Sequence, residues 1–315
     1  MNKGLGKHVI GDTFDGFLLI KQTKKGTAST GKAFLTIYFV DATGEIDAKL
    51  WDVTAEDVNT FKDGTIVKVT GDINEFRGKA QMRVKAIRPA QTTDGVKVSD
   101  FLEKAPVDKS DLQEQVNAAI FAMENPSIQR IVRAIVKKHQ EDLFVYPAAS
   151  KNHHAFVSGL AYHVVTMLKI AESLCDIYPS LNKDLLYAGI ILHDIGKIHE
   201  LSGVVSTSYT VEGTMLGHIS IMVSEIKETA QELQIEGEEV MLLQHIVLAH
   251  HGKPEWGSAK MPLVKEAEML HLIDMIDAKM NMLDRALDKT SPGEFTEKMF
   301  TFDHRSFYKP ILGND

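Results

Sequence analysis

The pair His193-Asp194, in the run HDIGK, is weak evidence taken singly, because either residue can simply finish a helix. Its companions give it weight: His163 lies thirty residues earlier, His218 follows in LGH, His250-His251 in LAHHG, and Asp274 and Asp277 in LHLIDMIDAKM. Leu243, Ile246, Val247 and His250 stand at i, i+3, i+4 and i+7, so His250 continues an apolar, inward-facing stripe. Leu270, Ile273, Asp274 and Asp277 repeat that spacing. Carboxylates and imidazoles are thus directed into a core where an unpaired charge would cost several kcal/mol. Each alone is better read as a hydrogen-bonded core histidine or an internal salt bridge. Five such features on successive helices point to a bound cation. Mixed imidazole and carboxylate ligation suits manganese, iron or zinc better than magnesium or calcium alone.

Several neighbours have the chemistry to assist. Lys197, one turn beyond Asp194, either offers a positive charge to a phosphate or stands in solvent. His153 and His154 precede SGLAYH and are candidates for contact with substrate or with the cation's ligands. Trp256, in the loop GKPEWGSAKMP, either stacks on a base or anchors its loop. His8, His139, His199, His245, His271 and His304 have no motif context and are read as structural or surface residues.

The elements that must carry these residues fall into two regions. From Phe14 to Arg88 the apolar pattern has period two, with five strands expected near 14–22, 33–40, 45–53, 65–73 and 80–88, and turns at Lys24 to Gly31, Asp41 to Gly44, Asp63-Gly64 and Asn74 to Gly78. From Val107 onward the period becomes 3.6, with helices expected near 110–124, 127–138, 153–177, 182–193, 213–234, 237–251 and 263–289. The expected division is a β domain over 1–90, a linker over 91–110 containing Gly95 and Pro106, and a helical domain over 111–315. A chain of 315 residues with 44% hydrophobic and 25% charged residues can bury a core in each part, which excludes disordered, collagenous and disulfide-stapled classes. The one cysteine, Cys175, fits a reducing compartment, and the longest apolar run, Leu185 to Leu192, is too short to span a bilayer. The expected location is the cytoplasm, with no membrane partner. No oligomeric state is implied.

Charge separates the two regions. The net charge of -8 is the sum of +3 over residues 1–98 (15 Lys and Arg, 12 Asp and Glu) and -11 over the remainder (20 against 31). Alternation puts Leu35, Ile37 and Phe39 on one face of the second strand and Phe34, Thr36 and Tyr38 on the other. In the third strand it leaves Lys49 and Trp51 opposite Ile46, Ala48 and Leu50, and in the fifth it sets Gln81, Arg83 and Lys85 against Met82 and Val84. A face of Phe34, Tyr38, Lys49, Trp51 and Arg83 interleaves rings with cations. It suits a single-stranded nucleic acid, whose bases stack while its phosphates are neutralised. Packing of these rings against the helical domain is the other reading.

The runs GKAFLTIYFVDATGEIDAKLWD and GTIVKVTGDINEFRGKAQMRVKAIR resemble the nucleic-acid-binding OB-fold, which would add Lys24, Lys25 and Lys32 from the first loop and Phe76, Arg77 and Lys79 from the last. The series His163, His193-Asp194, His218, His250-His251 and Asp274 resembles the histidine-rich, two-metal HD-domain phosphohydrolases. That resemblance implies that Asp194 bridges two ions, with His163, His193 and Asp274 completing one site and His218, His250 and His251 the other. Asp274 is the expected ligand and Asp277 the carboxylate behind it, although the spacing allows the reverse. Two ions roughly 3.5 to 4 Å apart can activate a water and clamp the attacking and leaving oxygens of a phosphodiester, so no amino-acid nucleophile is required.

Taken together, PAASKNHHAFVSGLAYH, ILHDIGKIHEL and HHGKPEWGS, following an OB domain, resemble the YhaM-type 3'-5' exoribonucleases of Gram-positive bacteria over nearly the whole chain. Two departures, Ser158-Gly159 where Gly-Gly often stands and Ala259 where proline often follows Gly-Ser, lie outside the expected ligands and bear on loop shape. The resemblance implies a multidomain β + α protein, an OB barrel followed by an all-α HD domain. It further implies stepwise 3'-5' hydrolysis of single-stranded RNA, and to some degree single-stranded DNA, to nucleoside 5'-monophosphates. Manganese is the expected metal, with iron, zinc, cobalt or magnesium as other divalent ions able to serve. The alternatives are an HD-type nucleotide phosphohydrolase regulated by its OB domain and a nucleic-acid-binding module with an inactive HD domain.

Overall fold

Strands of alternating character close on themselves when each can pair on both edges, and the N-terminal region does so. The computed structural model describes residues 4–29, 31–148, 156–205 and 207–312, and it divides the chain into two units, 1–104 with 202–208 and 105–201 with 209–315. In the first unit β1 (Thr13–Thr27), β2 (Ala33–Asp41), β3 (Gly44–Trp51), β4 (Ile66–Phe76) and β5 (Lys79–Pro89) form a closed barrel in the order β1-β2-β3-β5-β4. Neighbours are antiparallel except β3 and β5, which run parallel with Lys49 opposite Arg83. Leu18, Ile20, Leu35, Ile37, Phe39, Ala48, Val67, Val69, Ile73 and Met82 fill the interior, as the alternation requires.

Three features of this unit differ from the sequence-based expectation. First, β1 continues to Thr27, so Lys24 and Lys25 lie in a strand opposite Thr36 and Leu35 and not in a loop. Gly26 signals a close approach there and not a turn, because a Cβ at that position would collide with the ring of Phe34. Second, Phe76 ends β4 and Lys79 begins β5, and only Arg77 and Gly78 form the turn, both with positive φ, as a two-residue hairpin that follows the strand twist requires. Third, the connection from β3 to β4 holds a short helix, α1 (Ala55–Thr60), started by a reciprocal cap between Thr54 and Asp57.

The second unit is helical: α2 (Lys109–Phe121), α3 (Pro126–Lys138), α4 (Gln140–Leu143), α5 (Gly159–Ile177), α6 (Lys183–Leu192), α7 (Lys197–Glu200), α8 (Val211–Glu232), α9 (Glu238–Ala249) and α10 (Lys265–Asp288). Asn125, Asn182 and Thr210 cap α3, α6 and α8 through their side chains. Every residue of α6 from Leu185 to Leu192 is buried, so it forms the central rod of the unit. Of the expected helices, the one over 153–177 begins at Gly159, and the short α4 and α7 are additional. Ser158, at the start of α5, has φ 64 and its hydroxyl donates to the Phe144 carbonyl at 2.8 Å. A serine thus holds the left-handed conformation in which glycine is the easier residue. No helix among the described residues is long and apolar enough to cross a membrane.

Candidate metal centre and strand-binding face

Five helices deliver the histidines and carboxylates to one place. His163 projects from α5, His193-Asp194 follows the end of α6, His218 lies in α8, His250-His251 closes α9, and Asp274 and Asp277 lie on α10. His163, His193 and His250 are fully buried, and Asp194 is 2% exposed. The apolar partners Leu243, Ile246, Val247, Leu270 and Ile273 on the same stripes are fully buried too, which is why these helices turn His250 and the two aspartates inward.

The two oxygens of Asp194 face different groups. His218 Nε2 and His250 Nε2 approach Oδ1 at 3.5 and 3.8 Å, and His193 Nε2 and His163 Nε2 approach Oδ2 at 3.3 and 4.0 Å. Asp274 joins the second side, with Oδ1 3.3 Å from His163 Nε2. Ligand atoms of His163, His193 and Asp274 lie within 4.8 Å of one another, as do those of His218, His250 and His251. Asp277 stands on the far side of His163, its Oδ2 2.6 Å from Nδ1.

All five rings are held from behind through Nδ1. His193 donates to the Ile190 carbonyl at 2.8 Å, His250 to the Val247 carbonyl at 2.7 Å, and His251 to the Trp256 carbonyl at 2.7 Å, while His218 and His163 meet Glu200 and Asp277. A carbonyl or carboxylate oxygen only accepts, so each Nδ1 carries the proton and each Nε2 of a neutral ring presents a lone pair. Nε2 of His193, His218 and His250 and Oδ1 of Asp194 have no hydrogen-bond partner among the described residues. Acceptors that face one another across 3.3 to 3.8 Å without a proton between them fit a divalent cation, which supplies the missing positive charge.

The ionisation of the site follows from the same contacts. Burial and the neighbouring histidines push His250 well below the ordinary imidazole range, and burial lowers His251, so both rings are neutral. Burial opposes the charge of Asp194, yet the Lys197 ammonium 2.6 Å away helps to hold the carboxylate well below its usual range. His163 behaves differently: against burial, Asp274 and Asp277 raise it to about 10. Lys197 is not solvated, since its Nζ lies 2.6 Å from Asp194 Oδ2 with the side chain 13% exposed, and that carboxylate raises its pKa although burial favours the neutral amine.

The structure adds Glu200, on which the motifs are silent. Its Oε1 accepts from both the backbone N–H and Nδ1 of His218, at 3.1 and 3.0 Å. This requires α8 to break at Gly217, whose φ of 71 interrupts the helix and frees the next N–H to point at Glu200. Gly196, the glycine of HDIGK, lets the carbonyl of His218 pack directly on α7's leading turn, where any Cβ would overlap it. Trp256, half-exposed, shares one cavity with His251, His271, Asp274 and Met275, so its ring sits beside a residue of each histidine group. His153 and His154 lie outside the described residues.

On the barrel, Phe34 pairs with Trp51 across β2 and β3 with ring centroids 5.1 Å apart, and Lys49 Nζ lies 4.5 Å above the Phe34 ring. In the next row Lys49 stands beside Arg83, and Tyr38 lies beyond with Lys24 5.5 Å over its ring. Phe76, exposed, carries Arg77 5.3 Å from its ring at the tip of the last hairpin. Within the barrel unit, the expected face of rings and cations is therefore assembled on the outside of β2, β3 and β5.

Comparison with known proteins agrees with both halves. Residues 20–90 match the family model described as an OB-fold nucleic acid binding domain, and residues 160–279 match that of the HD domain. The chain is 63% identical over 310 residues to the 3'-5' exoribonuclease YhaM of Oceanobacillus iheyensis, covering 98% of each chain. It is 57% identical over 312 residues to the protein of that name from Bacillus subtilis, covering 99% of each. An HD domain with paired histidine and aspartate groups able to hold divalent metal, joined to an OB barrel and matched end to end by such relatives, shows that this chain belongs to the YhaM family of 3'-5' exoribonucleases.

Proposed function

We propose that this protein is a manganese-dependent 3'-5' exoribonuclease that binds single-stranded RNA, and less readily single-stranded DNA, on its barrel and removes nucleoside 5'-monophosphates at its HD site. The observation that carries the reading is the pair of opposed histidine groups on the two oxygens of Asp194. His163, His193 and Asp274 would hold one ion, His218, His250 and His251 the other, and Asp194 both. When bound, such ions supply an activated water and positive charge at the scissile phosphate.

The protein's own residues do the rest. Glu200, Asp277 and the carbonyls of Ile190, Val247 and Trp256 fix the tautomer and direction of the rings, so no reorganisation accompanies the reaction. Lys197, held against Asp194 Oδ2, keeps an ammonium beside the carboxylate whose other oxygen faces His218 and His250. Trp256 offers an exposed ring on which the terminal base would stack. Tyr38, Trp51 and Phe34 would hold upstream bases, and Lys49, Arg77 and Arg83 the phosphates. Cytoplasmic location accords with the lone Cys175 and with the substrate class.

Glu200→Ala is expected to weaken the ion on the His218 side by about 10- to 100-fold, the usual cost of removing a carboxylate behind a metal-bound histidine. Competition with a chelator measures this, and unchanged affinity for every ion would remove Glu200 from the site.

Polarity is tested with single-stranded RNA labelled internally and blocked at one end. A 3'-phosphate is expected to inhibit degradation strongly and a blocked 5' end to leave it unchanged, because only the former alters the group at the site. Degradation indifferent to the 3' block would mean an endonuclease. Hydrolysis of nucleoside triphosphates in preference to RNA would favour the regulated phosphohydrolase, and binding without metal-dependent hydrolysis the inactive module.

A further inference from the structure

Three residues outside the metal cluster, each without a motif of its own, meet in the helical unit. His139 stands at the junction of α3 and α4, His199 in α7 and Glu225 in α8, and one donor atom of each lies within 4.8 Å of the others. His139 and Glu225 are 5% exposed, with His139 Nε2 2.7 Å from Glu225 Oε1. The rings of His139 and His199 are edge to face, 5.2 Å between centroids and 88° between planes. The ring nitrogens of His199 make no hydrogen bond among the described residues. Lys138 also reaches Glu225 Oε1, at 2.8 Å, but its side chain is 60% exposed and is free to swing into water.

We propose that His139, His199 and Glu225 form a further cation site, separate from the HD cluster, that takes a zinc-class divalent ion and ties α7 to the α3–α4 junction and to α8. Two imidazoles and a carboxylate are a sufficient protein ligand set for zinc, which keeps a fourth position for water. Nitrogen donors favour zinc, copper, nickel or cobalt over manganese and magnesium, so this site and the HD cluster would differ in preference. Glu225 Oε1 already draws two nitrogens, His139 Nε2 at 2.7 Å and Lys138 Nζ at 2.8 Å, so it presents a carboxylate oxygen to the site. On binding, the ion would take the place of the Lys138 ammonium at Oε1. The consequence is positional, since α7 also carries Glu200, which orients His218.

The experiment compares tightly held zinc in the full-length wild-type protein and in His199→Ala, both stripped with chelator, equilibrated in a zinc buffer and measured by elemental analysis. His199 makes no side-chain hydrogen bond among the described residues, so its removal is expected to leave the fold in place, which circular dichroism checks. The expected result is one equivalent of zinc fewer in His199→Ala, and a cobalt(II) visible band present in the wild type and absent from the variant. The same difference is expected in an Asp194→Ala background, where the HD cluster is disabled, so the outcome does not depend on how many ions that cluster holds. Equal zinc content and identical cobalt spectra with and without His199 in both backgrounds would overturn the proposal and leave His139–Glu225–Lys138 as an internal ion pair. A difference seen with Asp194 present but lost in the Asp194→Ala background would likewise overturn it, by locating the ion in the HD cluster.

Discussion

Asp194→Ala is expected to lower phosphodiester hydrolysis at least about 1,000-fold, a barrier increase of about 4 kcal/mol, and to strip the bound divalent ions. Asp194 faces Nε2 of four histidines, two at each oxygen, and among the described residues no other carboxylate meets both groups. Losing it also leaves Lys197 nearly buried without its partner, and removing one member of a buried pair commonly costs about 3 to 5 kcal/mol of stability. Circular dichroism therefore accompanies the assay. A folded Asp194→Ala variant with near-normal rate and metal content would remove the two-ion reading.

Replacing Trp51 and Tyr38 together by alanine is expected to weaken binding of long single strands by at least about 30-fold, since a stacking contact is worth about 1 to 3 kcal/mol per base and two are lost. Trp51 is half-exposed and leans on Phe34, so its ring is presented from a supported platform. Hydrolysis of a short model phosphodiester should be almost unchanged, because the histidines and Lys197 belong to the helical unit. Lys49 and Arg83 supply a separate check. Their removal should make the salt dependence shallower, by about 1.4 in the slope of log affinity against log salt at about 0.7 per phosphate contact on single strands. Equal loss of long-strand and model-substrate activity in a folded aromatic double variant would mean that this face is not a strand platform.

How much of this was legible in the sequence depends on the kind of interaction. Strand faces were readable because burial follows alternation: Leu35, Ile37 and Phe39 face inward, leaving Phe34 and Tyr38 outside. The tail of β1 was not, because Lys24 to Thr27 pair with β2 through backbone bonds and Gly26 serves the ring of Phe34, neither of which leaves an apolar period. In the helical unit, stripes at 3.6 spacing gave the direction of His250 and of Asp274 and Asp277. The acceptors that orient the rings are mostly carbonyls, which every residue has, so Ile190, Val247 and Trp256 carry no side-chain signal. Glu200 lies in a four-residue helix too short to show periodicity, and its role depends on the break at Gly217. His139 and Glu225 are 86 residues apart and meet only through tertiary packing.

In the proposed centre one aspartate is shared by two cations, each with its own set of histidines. Anomalous diffraction from crystals grown with manganese, recorded at the manganese absorption edge, tests it most directly. Two peaks per chain are expected, one on the Oδ2 side of Asp194 among His163, His193 and Asp274, the other on the Oδ1 side among His218, His250 and His251. A single peak, or peaks that do not touch Asp194, would contradict it.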